Sequence, residues 1–147
     1  MKNLFVILWC ALAAILLTTA GCKRSSGPSY YMRAKLNDKD NNVNYCIAFS
    51  SSGSTVIDPF QPTATSVTYP YIVLVLQDGL WMPGKSIPLD GSKGCWGRLY
   101  TSPNFYMPST KGTILIDQAG GALSGTFSFT TTDGNSITDG TFSAKRI

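Results

Sequence analysis

Near the end of the chain, Leu123, Gly125, Phe127 and Phe129 alternate with Ser124, Thr126, Ser128 and Thr130. A side-chain period of two marks a half-buried β-strand, because successive Cβ atoms leave opposite faces of a sheet. No window after residue 30 carries the 3.6-residue apolar period of an amphipathic helix. The chain is therefore restricted to strands joined by turns. Asp133-Gly134-Asn135 closes a hairpin onto Ile137 to Ala144. In that last segment Ile137 and Phe142 differ in parity, and a bulge at Asp139-Gly140 returns both to one face.

The same reading extends towards the N-terminus. Met32, Ala34 and Leu36 alternate with Arg33 and Lys35, and Asn37 to Asn42 turn the chain. Val43, Tyr45, Ile47 and Phe49 form the next apolar face, with Asn44, Cys46, Ala48 and Ser50 opposite. Ser51 to Ser54 is a second turn, and Pro59, Pro62 and Pro70 punctuate an irregular connection. Tyr71 to Leu76 has no polar break and ends at Asp78-Gly79, which predicts a central strand covered on both faces. Trp81 to Gly84 forms a loop, and Lys85 to Leu89 a short edge segment limited by Pro88. Cys95 to Thr101 is a strand and Phe105-Tyr106 a brief one before Pro108. Thr113 to Gln118 is the next, turned at Ala119-Gly120-Gly121. The expected fold is all-β: an antiparallel sandwich or small barrel of about eight strands, following an N-terminal signal segment.

Met1 to Cys22 has the parts of an export signal. Lys2 supplies the positive end, Leu4 to Leu17 the apolar region, and Thr18 to Gly21 the small residues before Cys22. Ala20-Gly21-Cys22 resembles the lipobox of bacterial lipoproteins, with Thr19 where an aliphatic residue is usual. That resemblance implies removal of residues 1–21, lipidation of Cys22 and a tether over residues 22–29. Cleavage after Ala20, or an uncleaved anchor, are the alternatives. Lys23 rather than Asp after the Cys implies the outer membrane, with the domain in the periplasm. Lys23 to Ser29 spans at most about 25 Å when extended, which keeps the domain of residues 30–147 near the membrane. Lys23 and Arg24 form a solvated tether or touch anionic headgroups.

Removing the signal changes two counts. Cys10 departs and Cys22 carries lipid, leaving Cys46 and Cys95 as an even pair in an oxidising compartment. A disulfide between them is expected, with two separate buried thiols as the alternative. The net charge of +4 also falls, because nine basic residues face eight Asp from Tyr30 onward. A nearly neutral domain has no nucleic-acid footprint.

The C-terminal pattern, GTILIDQAGGALSGTFSFTTTDGNSITDGTFSAKRI preceded by GKSIPL, resembles a family of small uncharacterised bacterial lipoproteins with a domain of unknown function. Such proteins pair a lipobox with a strand-turn-strand like MRAKLNDKDNNVNYCIAF. They end in a strand followed by two Gly-Thr-Phe strands, here Gly125-Thr126-Phe127 and Gly140-Thr141-Phe142. The resemblance implies an all-β exported domain and brings no catalytic residues. The Cys46 and Cys95 pair is not part of the family's pattern.

The chain has no His and no Glu, which removes the usual general base and every Ser-His or Cys-His dyad. Asp38, Asp40, Asn42 and Asn44 place oxygens at alternate positions like a calcium loop. Val43 and Phe49 stand where that loop needs Gly and a closing acid, so a polar turn without metal is expected. Asp133 and Asp139 sit where turn or bulge chemistry selects them rather than where carboxylates would work as a pair. Trp81, Trp96, Arg98, Tyr100, Phe105 and Tyr106 lie on or beside two loops. Exposed, they would stack on sugars or anchor a partner; otherwise they fill the core. Trp81 is expected to be the most exposed.

The expectation is a non-catalytic, membrane-anchored module without cofactor, binding a glycan, lipid or envelope protein. A structural subunit of an envelope complex with no small ligand is the alternative. An Asp-based hydrolase ranks last, since it needs two Asp within about 10 Å in a cleft.

Overall fold

The computed structural model describes residues 29–60 and 67–147. The signal segment, Cys22 and the tether up to residue 28 lie outside that range. Strands are β1 (Tyr31–Leu36), β2 (Lys39–Val43), β3 (Ile47–Ser51), β4 (Ser54–Asp58) and β5 (Tyr71–Gln77). They continue as β6 (Ser86–Pro88), β7 (Trp96–Ser102), β8 (Phe105–Ala119), β9 (Ala122–Thr131) and β10 (Ser136–Arg146). The described residues are all-β, as the alternation demands.

Pairing runs antiparallel through β3, β4, β5, β7, β8, β9 and β10. It then returns to β3 through a short parallel contact, Lys145 with Ile47 and Arg146 with Ala48. The ladder thus closes on itself in a barrel-like ring of seven strands. The β1–β2 hairpin lies along β10, and β6 lies along β8 as an edge strand. Closure leaves one interior, which is filled by side chains such as Ile57, Leu74, Leu76, Leu99, Ile114, Ile116 and Phe142.

The proposed bulge is present. Ile137 pairs with Phe129 and Gly140 with Phe127, so β10 spends an extra residue between them. Asp139 takes φ 52° at that point, a conformation Asp tolerates better than most side chains. Ile137 and Phe142 are consequently both in the core. At Gly140 the strands approach so closely that a Cβ would collide with the Phe127 carbonyl oxygen.

Several local expectations change. The turn after β1 is only Asn37-Asp38, both with positive φ (49° and 64°), the signature of a two-residue hairpin turn. Asp40 and Asn42 then pair with Lys35 and Arg33 inside β2, so the polar run is mostly strand. Around β3 the simple alternation does not hold: Cys46 and Ala48 join the core cluster, Ile47 is buried as expected, and Phe49 stays half-buried. Ala48 pairs with Ile57, and the core position of Ile57 fixes the register of both strands. The second turn is likewise shorter than expected, and Ser54 onward forms β4.

Phe105-Tyr106 and Thr113 to Gln118 are two parts of one long strand, β8. Pro108 is accommodated because its missing N–H falls where β8 exchanges one neighbour for another. It pairs with Arg98 of β7, and the β9 ladder starts only at Ser109.

The expected disulfide is not formed: Cys46 and Cys95 are separate, buried thiols. Cys46 precedes the end of β3 that pairs with Asp58, whereas Cys95 precedes Trp96, which pairs with Val75. Strands β4 and β5 lie between them. The offset along the strands alone is four residues, about 13 Å, against a Cα limit of about 7 Å. Each thiol is accommodated locally instead. The Cys95 Sγ accepts the Gln77 N–H at 3.4 Å and donates to the Lys93 carbonyl at 3.7 Å.

Candidate functional site

The run Tyr71 to Leu76 is apolar throughout, so its own sequence does not say which face turns outward. Pairing decides. Ile72, Leu74 and Leu76 point into the core, leaving Tyr71, Val73 and Val75 on the outer face. On β7 the residues opposite them are Tyr100, Arg98 and Trp96. Tyr100 continues across to Tyr106 and Arg98 to Pro108 on β8. Strict period-two geometry thus collects the polar-tipped aromatics of three strands on one outer surface.

The rings form a ladder. Tyr69 and Tyr71 have centroids 5.3 Å apart and tilted 44°. Tyr71 and Tyr100 stack at 4.9 Å with planes 3° apart. Tyr100 and Tyr106 follow at 5.2 Å and 37°. The Arg98 guanidinium lies over the Tyr106 ring at 4.8 Å from its centroid. The Tyr71–Tyr100 and Tyr100–Tyr106 spacings are those of neighbouring strands, so that part of the ladder is a product of register; Tyr69 joins it from the segment just before β5. The ladder's chemical consequence is specific: Tyr71 and Tyr100 spend ring faces on each other.

Burial and a nearby carboxylate tune this surface. Asp58 lies next to Val73 on the same outer row. Burial raises its carboxyl above the ordinary 3.8, opposed by the Phe60 N–H it accepts at 2.8 Å. The Tyr71 phenol is pushed up to about 12, by burial first and then by Asp58, Tyr69 and Tyr100. It stays protonated at neutral pH. Burial, aided by Asp58, also pushes the Cys46 thiol up. Arg98 has no acidic partner within salt-bridge distance among the described residues.

Of the residues expected to meet a ligand, Arg98, Tyr100 and Tyr106 come together. Trp96 shares their face but lies at the other end of β7, with its ring lying on Gly91. A Cβ at Gly91 would collide with the Trp96 ring, and φ there is +81°. Trp81 corrects the expectation of an exposed ring. It is half-buried against the core, with its indole Nε1 enclosed and without a hydrogen-bond partner among the described residues. The Arg146 guanidinium lies 5.8 Å from the Trp81 ring centroid. Phe105, 58% exposed, and Tyr106, 41% exposed, are the open aromatics instead.

Asp133 accepts hydrogen bonds from Thr131 Oγ1 and from Asn135 Nδ2, the latter at 2.6 Å. The Thr131 bond heads the causes that hold its carboxyl below 3.8. Asp139 pairs with Lys35 at 2.9 Å. Each is engaged in its own turn or bulge. Tyr69 and Tyr71 are the members of the ladder that sequence reasoning missed. The signal for Tyr71 was cross-strand register, which is invisible until β5 and β7 are paired; Tyr69 follows from lying two residues before it. No family model, curated protein or solved structure matches this chain.

Proposed function

We propose that the chain is an exported lipoprotein, anchored through Cys22 in a bacterial outer membrane, whose domain binds an envelope protein without catalysis. The lipobox and the two Gly-Thr-Phe strands support placing it beside the small bacterial lipoproteins they resemble. The absence of His and Glu supports the non-catalytic reading.

The observation that carries the binding role is the Tyr69–Tyr71–Tyr100–Tyr106 ladder with Arg98 over its end. Tyr and Arg are the residue types that dominate interface energetics. Sugar stacking needs a free ring face, and the central rings have theirs occupied; a protein surface can use edges, hydroxyls and the guanidinium. This favours a protein partner over a glycan or a lipid at this face, and it brings the binding module close to the structural-subunit reading.

The test is photocrosslinking in cells with the crosslinker at position 106 of the full chain. One dominant adduct is expected, lost in Arg98→Gln; recovering only uncrosslinked chain would overturn the proposal. Mass spectrometry of the membrane fraction tests the anchor, with an acylated Cys22 N-terminus expected. An intact signal mass would refute it.

A further inference from the structure

A second outer surface, on β8, β9 and β10, has different chemistry. Two adjoining hollows of about 490 and 310 Å³ share Thr113, Ser128 and Thr138. Pairing makes their lining regular. Thr126 lies between Leu115 and Thr141, and Ser128 lies opposite Thr113. None of the hydroxyls of Thr113, Thr126, Ser128, Thr138 and Thr141 hydrogen-bonds to another described residue. At the rim stands Asp139, a non-glycine residue held at φ 52°, its carboxylate ion-paired with Lys35 at 2.9 Å and its side chain 68% exposed.

The chemistry narrows the ligand. Lys35 and Asp139 compensate each other, and Lys111 is the single other cation in the lining, so the hollow has no cation cluster for nucleic acid or phosphate. Leu115 is the one large aliphatic side chain on its outer face, too little for an acyl chain, since Ile137, Phe127 and Phe129 in the same lining are buried in the core. Each hydroxyl both donates and accepts, and a carboxylate can accept from two adjacent hydroxyls at once. Both hollows are shallow and open to solvent along the sheet surface. We infer that this trough binds a neutral oligosaccharide. A sugar diol meets the Asp139 carboxylate, other hydroxyls meet Thr126, Ser128 and Thr138, and a C–H face lies on Leu115. The site is separate from the tyrosine face and does not depend on the partner proposed there.

The test titrates the full chain separately with chitotriose, cellotriose and maltotriose by calorimetry. Saturable binding of at least one probe is expected. Thr126→Val keeps the β-branched shape without the hydroxyl, and Asp139→Asn keeps the bulge without the charge. Each should weaken binding about tenfold, as loss of one good hydrogen bond does, with melting temperature unchanged. Tyr100→Ala should bind the same probe as well as the parent does. No saturable binding by any probe would overturn the inference, and so would equal affinity in both trough variants. Loss of the crosslink at position 106 with sugar binding intact would refute only the protein-partner proposal, so the two failures are distinguishable.

Discussion

The tyrosine face and the hydroxyl trough are built on one strand, β8, and they spend their side chains in opposite ways. At its N-terminal end Tyr106 joins a ladder whose rings satisfy one another. Further along, Thr113 faces Ser128 with neither hydroxyl bonded to a described residue. Pro108 and the register shift between Ser109 and Lys111 separate the two halves. The ladder's ring contacts therefore contribute to stability, whereas the trough's side chains contribute little to the fold. The two surfaces should respond differently to the same kind of damage.

The largest effect is expected beneath the trough rather than in either lining. Gly140→Val forces a branched side chain against the Phe127 backbone and ring, and should cost about 3 kcal/mol by overpacking. Urea denaturation reads it, and a cost below that of any ladder substitution would contradict the close approach. Next comes Tyr100→Ala, which removes both its ring neighbours. At about 1 kcal/mol for each aromatic pair it should lose about 2 kcal/mol, most of it restored in Tyr100→Phe.

A smaller, pH-dependent effect should appear at Asp58. Its carboxyl is raised in the folded state, so the folded chain holds that proton more tightly than the unfolded chain does. Its contribution to stability is therefore greatest at low pH and is lost as pH rises through the folded value. Asp58→Asn should stabilise the protein at pH 7, and the gain should fade as pH falls towards 3.8. The same change should lower the highest tyrosine step in an ultraviolet titration, since Asp58 helps hold Tyr71 near 12. A gain that is independent of pH would rule out the carboxyl as its source. The smallest effect is Thr126→Val, within about 0.5 kcal/mol by the same denaturation. A larger loss would mean that the trough hydroxyls support the fold.

How far the sequence disclosed this arrangement varies by region. The C-terminal hairpins were legible because Leu123 to Phe129 alternate cleanly, and because the parity clash of Ile137 and Phe142 demanded the bulge at Asp139. In β3 the apolar pattern itself misled. Tyr45, Ile47 and Phe49 outrank Cys46 and Ala48 in size, yet the smaller residues face inward because Ala48 lies opposite Ile57. Strand β4 was hidden by the Ser and Pro residues around a five-residue segment, and β2 by five polar or short side chains in a row. The ladder was half legible. Arg98, Tyr100 and Tyr106 declared themselves, but Tyr71 sat in a uniformly apolar run. Counting cysteines suggested a bridge, but how far apart they lie along the strands is a tertiary property that no count contains.

The parallel contact of Lys145 and Arg146 with Ile47 and Ala48 has a kinetic consequence. Hairpins β3–β4, β7–β8 and β9–β10 form from near neighbours, but this seam joins an early strand to the last one, and non-local contacts of that kind are slow to form. Until it zips, the free edge of β3 is open to pairing with any other extended chain. Two backbone bonds flank it: Lys145 N–H to the Cys46 carbonyl at 2.9 Å and Ile147 N–H to the Ala48 carbonyl at 3.0 Å. The last residues of the described chain thus act as a fastener that covers the otherwise free edge of β3.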